Sequence, residues 1–83
     1  MIPRQANRTF LIVDMVEVFK TDVQQPGTAN VLIVKLTLLF PGSRVNFDLD
    51  DCDRVLRVEG DQLCRDKIAH LLKLNGYFCQ ELI

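Results

Sequence analysis

Arg44-Val45-Asn46-Phe47-Asp48-Leu49, then Asp50-Asp51-Cys52-Asp53, then Arg54-Val55-Leu56-Arg57-Val58-Glu59 form two alternating runs around a polar turn. Val45, Phe47 and Leu49 fall on one side of the first run and Arg44, Asn46 and Asp48 on the other, the period of a half-buried strand. The returning run places Leu56 and Val58 inward, so the stretch is a β-hairpin. A lone hairpin cannot bury its apolar face, which makes the flanking segments decisive. Before it, Ala29, Leu32, Ile33, Leu36 and Phe40 recur at helical spacing, with Thr28 as the expected N-cap after Gln25-Pro26-Gly27 and Pro41-Gly42 as the stop. Earlier still, Met15–Val23 alternates as a strand with Val16 and Val18 on one side and Met15, Glu17 and Phe19 on the other. After the hairpin, Gly60 breaks the pattern and Asp61 is the expected cap of a second helix whose core face carries Cys64, Ile68, Leu71 and Leu72. Asn75-Gly76 ends that helix, and Tyr77–Ile83 reads as a last strand.

The order strand, helix, strand, strand, helix, strand predicts an α+β fold: a ferredoxin-like βαββαβ sandwich, a four-stranded antiparallel sheet with both helices on one face. Its 83 residues hold one core, expected over 15–83 with 1–14 as an N-terminal arm. Hydrophobic residues make up 48% and charged residues 25%, which favours a folded domain over disorder. A net charge of −1 gives no field to gather nucleic acid or anionic lipid. Cys52, Cys64 and Cys79 are an odd number with no paired spacing, as in a reducing compartment. The apolar runs are short of the roughly 20 residues of a membrane span, and Phe10–Val13 is too short for a signal-peptide core. A cytoplasmic protein is expected.

Phe40-Pro41-Gly42-Ser43-Arg44-Val45-Asn46-Phe47-Asp48-Leu49, the returning Val55–Gly60 and Leu74-Asn75-Gly76-Tyr77 resemble the heavy-metal-associated domain of copper chaperones and metal-transporting ATPases. The likeness covers residues 15–83 and implies this same scaffold. In that family a Met-x-Cys-x-x-Cys loop between strand one and helix one holds a soft cation on two thiolates. Here the corresponding Lys20–Gly27 segment has no cysteine, so none of the family's metal ligands carries over. Tyr77 matches a family aromatic and is read as packing.

The topology brings Cys52 and Cys79 to one end of the sheet and Cys64 to the other, making Cys52 and Cys79 the candidate displaced ligands for copper or zinc. Cys64 and Cys79 are otherwise small core residues. Asp48, Asp50, Asp51 and Asp53 lack the glycine and flanking helices of an EF-hand and read as a solvated turn. Ser43 and His70, the one serine and the one histidine, are placed far apart, so no catalytic group assembles and no enzyme is expected. Strand three has no aromatic to stack on RNA, and nucleic acid is not an expected partner. Asp22 with Pro26-Gly27 resembles the ligand loop of ACT regulatory domains, which implies small-molecule sensing as an alternative.

Helix one carries a surplus. Val31, Val34 and Leu38 lie nearly opposite its core stripe, with Leu39 at the flank, so it is apolar on two faces although only one can meet the sheet. Val31, Val34 and Leu38, with Phe19 on the open sheet face, are the candidate interface for a protein partner or a homo-oligomer. The expected function is a non-enzymatic interaction or self-association module with no cofactor and no membrane contact.

Overall fold

The computed structural model describes residues 15–82; the arm 1–14 and Ile83, the end of the expected last strand, lie outside the described residues. The elements are β1 (Met15–Thr21), α1 (Pro26–Leu39), β2 (Arg44–Asp48), β3 (Val55–Gly60), α2 (Arg65–Leu74) and β4 (Cys79–Leu82). One antiparallel sheet runs β2-β3-β1-β4, and both helices cover the same face. The fold is the expected ferredoxin-like βαββαβ sandwich. In the hairpin Val45 faces Val58 and Phe47 faces Leu56, so the apolar sides of both strands share the helix-covered face.

Both helix starts differ from the expected caps. Pro26 occupies the first turn of α1 and Gln25 the N-cap position, with Ala29 N donating to the Gln25 carbonyl at 3.0 Å. Proline's fixed φ suits that position and its missing N–H costs nothing there, which puts Thr28 inside the helix. Likewise α2 starts at Arg65 with Cys64, not Asp61, at the N-cap position, because Gly60–Leu63 first crosses the end of the sheet to seat Leu63 against the core. Asp66 in its first turn and Lys73 in its last complement the helix dipole.

The stop of α2 follows the sequence. Gly76 has φ +91°, its N–H donates to the Lys73 carbonyl at 3.0 Å, and Tyr77 N donates to Leu72 O at 3.0 Å, a Schellman pair. A β-carbon on Gly76 would touch nothing within 4 Å, so the cost of a side chain there is one of backbone conformation alone. Gly76→Ala should destabilise by about 1–2 kcal/mol. Gly27→Ala, equally free of contacts but in the first turn of α1, should stabilise by about 0.4–1 kcal/mol. Urea titration of the two variants checks both signs.

Strand β1 presents the face opposite to the expected one. Phe19 is 1% exposed and lies in the core, while Val16 and Val18 are on the open side of the sheet. Phe19 pairs with Leu56, and the same parity carries Thr21 and then Val23 inward. A phenylalanine and a second valine bury more apolar area than Val16 and Val18 could, so they set the register. Two polar groups on the inward side are satisfied. Thr21 Oγ1 donates to Arg54 O at 2.6 Å and accepts from Val23 N at 3.2 Å. Glu17 approaches the Arg65 Nε at 3.9 Å, and Arg65 also binds Glu81 at 2.5 Å, tying the start of α2 to β1 and β4.

With Phe19 inward, the core is Phe19, Val23, Ala29, Leu32, Leu36, Leu56, Val58, Ile68, Leu72 and Cys79. Ile33, Phe40, Leu71 and Cys64, all expected on core stripes, are half-buried at the margins. The helices contribute five of these side chains from narrow stripes, which leaves the rest of α1 to solvent.

Candidate functional site

At 100° per residue, Ala29, Leu32 and Leu36 set the buried direction of α1. Leu39, Lys35, Val31, Leu38 and Val34 follow in that angular order away from it, toward α2 and then over the crest. Val31 is 53% exposed, Val34 58% and Leu38 75%, as the stripe on helix one requires. The patch does not stop at α1. Leu39, Leu71 and Leu74 line a shallow groove of about 270 Å³ between the helices, with Lys67 and His70 along its α2 side. Leu74 is itself 72% exposed. Lys35 Nζ donates to Asn75 Oδ1 at 2.6 Å, a bridge from α1 to the end of α2. The result is an apolar surface spanning two helices.

The sequence reading had Leu39 at the flank of this patch but not Leu74. The signal was present: Lys67, Leu71 and Leu74 at i, i+4 and i+7 make a second face on α2, rotated away from Ile68 and Leu72. It was masked because Leu71 was grouped with the core stripe. Phe19, the remaining candidate interface residue, is withdrawn from any surface by its burial.

The open sheet face is polar in character. Arg44, Asn46 and Asp48 of β2 lie across from Glu59, Arg57 and Val55 of β3, beside Val16, Val18 and Lys20 of β1. The Arg44 guanidinium hydrogen-bonds Glu59 and holds its carboxyl below the usual range, with Arg57 adding to the effect. No aromatic side chain lies on this face of the described strands, since Phe19 points the other way.

The two candidate metal ligands occupy different environments. Cys52 is exposed in the hairpin turn, where its sulfur and one oxygen each of Asp51 and Asp53 lie within 4.8 Å of one another. These carboxylates have other work: Asp51 Oδ1 accepts from Asp53 N at 2.8 Å, and Asp53 pairs with Lys20 at 3.5 Å. Arg54 closes the turn at φ +46°, its N–H donating to Asp51 O and its guanidinium to Leu49 O. Cys79 sits at the same end of the sheet, next to Thr21, but its side chain is buried in the core. Burial pushes its thiol up to about 11, with Lys73 opposing slightly. Cys64 is half-buried at the far end, at the start of α2.

The remaining candidates are also separated. Asp22 Oδ1 accepts from Phe78 N at 2.9 Å, so the carboxylate of the ACT-like loop is a tie to the start of β4. Ser43 and His70 line different depressions. Ser43 Oγ is buried without a hydrogen-bond partner among the described residues. No helix among them is long and apolar enough to cross a membrane. In comparisons with known proteins, no family model, curated protein or solved structure matches the chain.

Proposed function

We propose that this chain is a non-enzymatic protein-interaction module on a ferredoxin-like scaffold, working in the cytoplasm through the outer face of its helical layer. The observation that carries the reading is the continuous exposure of Val31, Leu38, Leu39 and Leu74 across two helices. Single exposed aliphatics are ordinary, but a contiguous apolar patch marks a contact site. The resemblance to heavy-metal-associated domains supports the scaffold, and the absence of cysteine from Lys20–Gly27 removes that family's usual activity.

Leu38→Glu and Val34→Glu should leave stability within about 0.5 kcal/mol, because both side chains are solvated in the monomer. They should nevertheless abolish association, read by sedimentation velocity for self-association and by pull-down for a partner. Wild-type and variant proteins that associate alike would overturn the reading.

The alternative is a copper or zinc carrier using Cys52 and Cys79. The clustering of Cys52 with Asp51 and Asp53 favours it; the burial of Cys79 opposes it. Titration with Cu(I) or Zn²⁺ under reducing conditions, repeated on Cys52→Ser and Cys79→Ser, separates the two. A stoichiometric site lost in both variants would establish the carrier.

A further inference from the structure

The charges around the helical patch identify the kind of partner it fits. Lys67 and His70 border the groove on α2, and Lys35 of α1 reaches Asn75, the residue after Leu74. No carboxylate lines the groove among the described residues. Asp66, the carboxylate of α2, belongs to a separate depression with Met15, Glu17, Leu63, Cys64 and Arg65. Lys35 uses one of its three N–H donors on Asn75, which leaves two to offer. Lys67 has no ion-pair partner among the described residues.

We infer that the groove between α1 and α2 receives an amphipathic helix of another protein, with acidic residues flanking its apolar stripe. This rests on the interaction-module reading above and adds the partner's chemistry. Two packed helices make a channel along their axes into which a third sets its side-chain ridges. Leu39, Leu71 and Leu74 form the floor for an aliphatic anchor, and Val31 and Leu38 extend it over α1. Flanking carboxylates then meet Lys35 and Lys67, with steering and register as the main gains. A second copy of this chain fits less well, because a two-fold contact would bring Lys35 and Lys67 toward their own copies. Four of the chain's eleven acidic residues instead crowd the hairpin turn, at Asp48, Asp50, Asp51 and Asp53. An anionic membrane is also less suited, given the net charge of −1 and a groove rather than a convex surface.

The test uses the full chain and two labelled synthetic peptides of about 18 residues, long enough to form a helix on binding. Both carry the same leucine stripe, one flanked by glutamates and the other by lysines. Fluorescence anisotropy should show the acidic peptide binding at least about tenfold more tightly, with the difference shrinking as salt shortens the Debye length. Lys67→Glu should reverse the preference, and Leu74→Glu should remove binding of both while circular dichroism stays native. Equal binding of the two peptides, or none, overturns the inference. So does stronger binding to phosphatidylserine vesicles than to the acidic peptide. Should Leu38→Glu abolish self-association while neither peptide binds, this inference fails and the interaction reading stands. Acidic-peptide binding that is indifferent to both Leu38→Glu and Leu74→Glu would sink both.

Discussion

Phe19→Ala should lower the unfolding free energy by about 3–5 kcal/mol, while Val16→Ala on the same strand should lower it by less than about 1 kcal/mol. The contrast follows from one fact: Phe19 is buried in the core, and Val16 lies on the open face. Truncating Phe19 loses its transfer free energy and leaves a cavity in the core. A domain of 83 residues has on the order of 4–12 kcal/mol of stability in all, so the variant should be largely unfolded at moderate urea. Urea titrations followed by circular dichroism give both numbers. A larger loss for Val16→Ala than for Phe19→Ala would mean that β1 is turned over, and would return Phe19 to the surface.

Thiol chemistry should divide the cysteines by orders of magnitude. At pH 8 in native buffer Cys52 should react with a disulfide reagent at once, and Cys79 only as fast as the domain opens. A Cys79 thiol pushed up to about 11 is ionised in only about one molecule in a thousand at that pH, and its sulfur is enclosed as well. The same shift makes stability depend on pH. The unfolded thiol loses its proton near 9 and the folded one near 11, so between them the unfolded state binds fewer protons and stability falls as pH rises. The loss should be no more than about 2–3 kcal/mol, with the full contribution present below pH 9. The difference between wild type and Cys79→Val isolates it from tyrosine and lysine titration. Rapid labelling of Cys79 in the folded protein would remove the objection to a Cys52–Cys79 metal site.

Most of the architecture was legible because it rests on local signals. The hairpin declared itself in the period-two runs on either side of Asp50–Asp53, the α2 stop in Asn75-Gly76, and the surplus on α1 in Val31, Val34 and Leu38. The misreadings share a cause. Thr28 and Asp61 have the side chains of good caps, but Gln25 and Cys64 won the positions because the path of the connecting chain, a tertiary matter, decides where a helix begins. Leu71 and Leu74 looked like ordinary helix residues until the place of α1 beside α2 made them the floor of a groove.

The sequence by itself determined the order of elements, the apolar excess opposite the core stripe of α1, and the lack of a cysteine pair in the Lys20–Gly27 loop. Those are properties of single segments, set by periodicity and residue type. Only the tertiary structure decided which face of β1 is inside. Met15–Val23 alternates apolar residues on both sides, and the choice falls to whichever face fills the space under the helices, Phe19 and Val23 over Val16 and Val18. The structure also joined the α1 stripe to Leu74 and set Lys35, Lys67 and His70 about the groove, since residues far apart in the chain become one surface only when two helices pack on one sheet.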